Sequence, residues 1–137
     1  MAIRSAADFL RRYPKELTMG CEGDFNLDND AAGDLLAEIS DELFERVVEL
    51  LQHPRGHEYD DEEIAELFVR IEMIFALHAQ SMINSAPAPA ELRSLISPYF
   101  KRWTDYHEAQ GHSMPCKRSE TMTQTFDRLV DIASEIY

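Results

Sequence analysis

Six carboxylates, Asp34, Glu38, Asp41, Glu42, Glu45 and Glu49, recur at steps of three and four residues. In helical geometry that spacing gathers them in a band about 100° wide. Such a band can hold a cation, move protons or attract a basic macromolecule. An ordinary solvated helix face interleaves Lys and Arg, because Glu–Lys pairs four residues apart stabilise an exposed helix and like charges there destabilise it. Between Asp34 and Glu49 the only basic residue is Arg46. Keeping carboxylates at such spacing forgoes helix stability, which leaves two readings open, a partner-binding stripe and a plain solvated face. A second acidic run, Asp60-Asp61-Glu62-Glu63 followed by Glu66, lies nearby with Tyr59 beside it. The expected partner-binding set is therefore Asp34, Glu38, Asp41, Glu42, Glu45, Glu49, Tyr59, Asp60, Asp61, Glu62 and Glu66.

Metal and catalytic chemistry fit the residues less well. A calcium loop opening at Asp24 needs Gly at its sixth position and Glu at its twelfth, but finds Asn29 and Leu35. Opening at Asp28 puts Gly33 in place but leaves Ala32 and Ile39 where oxygen ligands belong. His53 and His57 are separated by Pro54 and Gly56, so they do not share a helix face, and His107 and His112 straddle Gly111. Cys21 and Cys116 are far apart, form no CxxC or Cys/His frame, and read as free thiols. No metal or cofactor is expected. The sequence has no phosphate loop and no nucleophile elbow. Glu72 is the one carboxylate set among apolar neighbours, Phe68, Phe75 and Ala76, where burial would raise its pKa and suit acid–base work. The more ordinary expectation is a structural ion pair to Arg70, Arg93 or Arg128.

Charge narrows the partner. The chain of 137 residues carries a formal net charge of −13. Residues 20–66 hold sixteen Asp/Glu against Arg46 and Arg55, so this third of the chain accounts for the whole excess. Such a field repels nucleic-acid phosphates and anionic lipid and attracts basic proteins. The N-terminus has no apolar stretch of signal-peptide type, and the apolar-rich stretch 64–83 is interrupted by Glu66, Arg70, Glu72 and His78. A cytoplasmic chain is expected, with no nucleic-acid or membrane partner.

The elements that would position these residues are helical. A short helix is predicted from Ser5 to Pro14, within an N-terminal arm 1–18. Apolar residues Ala32, Leu35, Leu36, Ile39, Leu43, Val47 and Leu50 mark one face of a helix over 31–52, capped by Asp28 or Asp30. A helix over about 61–84, apolar nearly all round, is expected to be central. Pro89 opens a helix through Ile96, and Ser97-Pro98 is read as a restart of a further one to Gly111. Met122, Phe126, Leu129, Val130, Ala133 and Ile136 mark the last. The expected architecture is all-α, a single domain over 19–137 with five or six helices in total.

From Met19 the chain resembles a bacterial family known as Domain of Unknown Function 4259. Its members open with Met-Gly, a Trp-Gly-x-Gly segment, then Phe-Asp/Glu-Asn-Asp and a small residue before a helix. Met19-Gly20, Gly23 and Asp28-Asn29-Asp30-Ala31-Ala32 stand at matching spacing, with Leu27 in place of the Phe, Glu22 in place of the Trp and Phe25 in place of the later Gly. The stretch Ala65 to Leu77 around Glu72 is similar in style to the family's Ala-rich helix with one embedded Glu. The resemblance covers about 19–136 and implies an all-helical fold, with Gly20, Gly23, Asp28, Asn29, Asp30 and Glu72 as shared structural positions. It implies no activity. Proteins of this size and acidity occur as immunity proteins beside secreted bacterial toxins. By that analogy the expectation is a non-catalytic binder of a basic toxin domain, with Tyr59, Trp103 and Tyr106 as candidate anchors. The alternatives are a DNA mimic, a small hydrolase or metal enzyme using Glu72, and a homo-oligomeric structural protein.

Overall fold

Asn29 starts the first described helix: its extended backbone (φ −138°) lets Oδ1 accept from Ala32 N–H at 2.8 Å. The computed structural model describes residues 26–52 and 61–137. Within them the chain forms α1 (Asp30–Leu51), α2 (Asp61–Ala79), α3 (Pro89–Ala109) and α4 (Lys117–Ile136), with no strand among the described residues. The N-cap of α1 is thus Asn29, not the expected Asp28 or Asp30.

Each later boundary has a local cause. The last turn of α2 closes through Met82 N–H to the Leu77 carbonyl at 2.8 Å and Ser81 N–H to the His78 carbonyl at 2.9 Å. That pair of hydrogen bonds places Ser81 in the left-handed region (φ 59°) and stops α2 at Ala79, short of the expected 84. The same motif ends α3, with His112 N–H on the His107 carbonyl and Gly111 at φ 89°. Cys116 caps α4: its Sγ accepts from Ser119 N–H, while the Ser119 hydroxyl accepts from the Cys116 N–H at 2.8 Å.

Two helices expected around Pro98 are one. α3 runs through Pro98, which removes a single i to i−4 bond, the one to the Ser94 carbonyl. Both residues are exposed, so the helix continues without burying an unpaired carbonyl. Four helices are therefore present where the sequence suggested five over the same residues, and the short helix of the arm lies outside the described residues.

The helices pack as two hairpins. α1 and α2 run antiparallel, and so do α3 and α4, with α1 beside α3 and α2 beside α4. The α2–α4 pair is parallel: Arg118 lies over Phe68, Arg128 over Phe75, and His78 bonds Glu135. None of the four described helices occupies the centre. The apolar face of each contributes to one shared core that includes Val47, Leu67, Ile71, Ile74, Leu92, Met122 and Leu129, all fully buried. α2 is correspondingly less enclosed than expected, with Val69 58% and Met73 46% exposed.

The segment after α2 is pinned to α1. Asn84 N–H bonds the buried Ser40 Oγ at 3.3 Å, Asn84 Nδ2 bonds the Gly33 carbonyl at 3.1 Å, and the Ser85 hydroxyl donates to Asp41 at 2.5 Å. At the other end, Arg102 of α3 donates to the Leu51 carbonyl at 3.2 Å, satisfying one of the open carbonyls of the last turn of α1.

Candidate functional site

The core face of α1 (Ser40, Leu43, Phe44, Val47, Leu50, Leu51) is buried, and that leaves the acidic band on the outside. Asp34, Glu38, Asp41, Glu42, Glu45 and Glu49 are all exposed. Asp34, Glu38, Glu42 and Glu45 make no ion pair or side-chain hydrogen bond among the described residues. Asp41 accepts from Ser85, and Glu49 pairs with Arg46 at 3.1 Å.

The only cation on α1, Arg46, flanks this band: it pairs with Glu49 at the band's end and is otherwise used between helices. Arg46 Nε and Nη2 reach both oxygens of Glu66 on α2 at 2.6 and 2.8 Å, and Arg70 Nε reaches Glu66 Oε2 at 2.7 Å. Hydrogen bonds from Arg46 and then Arg70 hold the Glu66 carboxyl down to about 2, and Glu66 with Glu49 pushes the Arg46 guanidinium further up. Glu66 is thus engaged in joining α1 to α2, and like Asp41 and Glu49 it is an expected partner-binding residue already used within the fold. Because Arg46 is drawn to that side, nothing cationic interrupts the row from Asp34 to Glu45.

Where α1 meets the segment leading into α3, the row borders a groove of about 410 Å³. Asp41, Glu45, Glu49 and Glu91 form its rim, and Phe44, Val48, Ala86 and Pro87 its floor. Carboxylates around an apolar floor suit the side chain of a lysine or arginine, whose aliphatic stem packs on apolar atoms while its charge meets carboxylates. Sequence reasoning missed Glu91 and the floor. Val48 falls outside the apolar repeat of α1, and nothing local ties Ala86 and Pro87 to a helix forty residues earlier; the pinning by Asn84 and Ser85 does so.

The remaining expected residues divide plainly. Asp61 opens α2 and Glu62 is exposed on its first turn, with an interaction of its own. Gly20, Gly23, Tyr59, Asp60, His53, His57 and Cys21 lie outside the described residues. Asp28 is exposed, Asn29 is the cap and Asp30 the first residue of α1. A calcium loop opening at Asp28 is ruled out by α1 itself, since residues from Asp30 onward are helical. No group of three or more His, Cys, Asp or Glu among the described residues is placed to hold a metal ion.

Two expectations are corrected. Glu72 is not buried among Phe68, Phe75 and Ala76: it is exposed on the outer side of α2 and pairs with none of Arg70, Arg93 or Arg128. Trp103 is 5% exposed and belongs to the core, with Phe100 stacked on it at 6.0 Å, so it is no surface anchor. Tyr106 is half-buried and sits edge-on to His107 at 5.3 Å. His107 in turn stacks on His112, with their Nδ1 atoms 3.0 Å apart across the end of α3. No described helix is long and apolar enough to cross a membrane. Compared with known proteins, the chain matches no family model, no curated protein and no solved structure.

Proposed function

We propose that this chain is an acidic, non-catalytic binding protein of the cytoplasm that neutralises a basic partner, in the manner of an immunity protein against a cognate bacterial toxin, and that it belongs with the Domain of Unknown Function 4259 proteins. One observation carries the reading. Asp34, Glu38, Glu42 and Glu45, carboxylates without an ion pair among the described residues, run on into a groove whose floor is apolar and whose rim is acidic. The row supplies long-range attraction, which chiefly raises the association rate, and the groove offers the desolvated pocket in which a few anchor residues set affinity. A basic side chain of the partner, seated on Phe44 and Val48 and ringed by Asp41, Glu45, Glu49 and Glu91, is the anchor this geometry suits. Nothing in that mode of action needs a catalytic group or cofactor.

The test is capture from the native host with tagged protein at low salt, followed by association kinetics with the captured partner. The expected result is a basic protein released by high salt, with an association rate that falls at least tenfold for Glu38→Lys/Glu42→Lys/Glu45→Lys at low salt and converges with the parent at high salt. Equal rates for variant and parent would sink the proposal. A partner that loses DNA binding generally, whatever toxin is present, would move the reading to a DNA mimic.

A further inference from the structure

The side of the bundle facing away from the acidic groove has a different character. α1 and α3 form the groove; α2 and α4 form the opposite side. Their seam is an open groove of about 500 Å³ with Val69, Met73 and Ala76 on α2 and Thr121 on α4. Val69 and Met73 are among the most exposed large apolar side chains described. Among the described residues, the charged groups in its lining are one carboxylate, Glu72, and one guanidinium, Arg118. On a chain of net charge −13 this seam is locally neutral.

We propose that the α2–α4 seam is the interface of a two-fold homodimer. Charge selects the occupant. A second copy approaching by α1 meets a row of carboxylates with its own, whereas two seams meet without like-charge repulsion. The pair of charges is also self-complementary. Arg118 sits at the level of Phe68, its guanidinium 4.5 Å from that ring, and Glu72 lies one turn further along α2, about 6 Å away along the axis. A two-fold axis between those levels reverses α2 and sets Glu72 against the partner's Arg118, and the reverse, with Val69 and Met73 packing near the axis. Two helices about 30 Å long, packed about 10 Å apart, present roughly 600 Å² per protomer. That is somewhat below the roughly 800 Å² per partner of a standard interface, in the size range of weak, concentration-dependent association. Both acidic grooves stay open on its outer sides, which makes the dimer bivalent toward a basic partner.

The test is sedimentation equilibrium of the full chain from low micromolar concentration to about 0.5 mM, a range that brackets such an affinity. The mass is expected to rise from one copy to two. Glu72→Arg sets Arg against the partner's Arg118, and Arg118→Glu sets Glu against the partner's Glu72, so each variant alone should dimerise about tenfold more weakly or worse. Mixed in equal amounts, the two variants restore both opposite-charge pairs, and the mixture should associate about as tightly as the parent. Recovery on mixing also shows that both variants are folded, and far-UV circular dichroism checks each alone. A parent that stays single at the highest concentration would overturn the proposal, as would single variants that dimerise like the parent, or a mixture no tighter than its components.

Discussion

Replacing Glu38 and Glu45 with lysine should make the protein more stable while slowing its association with a basic partner. Both positions are exposed and unpartnered among the described residues, so neither change opens the core or breaks a contact. Four neighbour pairs at i,i+4 change from like to opposite charge: Asp34 with 38, 38 with Glu42, Asp41 with 45, and 45 with Glu49. Each such pair swings by about 0.4–1 kcal/mol, from a penalty of a few tenths to a gain of similar size. The swing is smaller where lysine precedes glutamate, and smaller again at Glu49, which already pairs with Arg46. The net gain is therefore about 1–2 kcal/mol at low salt, a rise in melting temperature of roughly 3–8 °C for a chain of this size. In about 1 M salt, where the screening length shrinks to about 3 Å, most of the gain should vanish. Urea unfolding followed by far-UV circular dichroism at both salt concentrations measures it directly. A variant no more stable than the parent at low salt, or one whose gain survives high salt, would refute the claim that this face holds a repulsive row. If the gain appears and association with the partner is unchanged, the row exists but does not bind.

Three further outcomes follow from the same contacts. Glu66 is held at about 2 in the folded state against 4.5 for a free carboxyl, so its contribution to stability is complete above about pH 4.5 and is lost as pH falls through about 2. The stability advantage of the parent over Glu66→Gln should accordingly narrow across that window; a difference constant from pH 5 to 2 would mean the bonds to Arg46 and Arg70 do not form in solution. Leu67→Ala and Ile71→Ala, at fully buried positions, should each cost about 2–5 kcal/mol by urea unfolding, and a cost under about 1 kcal/mol would place α2 elsewhere than against the shared core. The two left-handed helix ends should respond in opposite directions. Gly111→Ala is expected to destabilise by about 1 kcal/mol although its Cβ meets open space, and Ser81→Gly to stabilise by about 0.5–1 kcal/mol, both read from thermal melts.

Period and spacing made α1 and α4 legible because one side of each helix meets the core. On α4 every residue of the expected apolar set is buried or half-buried. On α1 the agreement is partial: Leu43, Val47 and Leu50 are buried, but Leu35 is 54% and Ile39 40% exposed. At 100° per residue these two lie about 120° and 80° round from Val47, at the margin of the apolar sector, and in the first half of the helix. A repeat of three and four tolerates that drift; a packed core does not.

α2 misled for the opposite reason. Its apolar residues surround the axis, which normally marks a helix enclosed by others, yet in a ring of four no position is enclosed. Val69, Met73 and Ala76 are left outside together with Glu72, and the expectation of a buried Glu72 fell with the expectation of a central helix. The helical pattern alone also says nothing about which helices are neighbours. The acidic rim became a groove only because Asn84 and Ser85 fasten the following segment to Gly33, Ser40 and Asp41, which brings Pro87 and Glu91 beside Val48. Arg46 shows the converse. Counted along the sequence it is a break in the acidic stripe, but its side chain reaches Glu66 and Glu49, which leaves Asp34, Glu38, Glu42 and Glu45 without an ion pair among the described residues. The fold therefore sharpens the charge asymmetry already present in the chain: the cation of α1 is used to hold two helices together, and Asp34, Glu38, Glu42 and Glu45 are left exposed with no ion pair among the described residues.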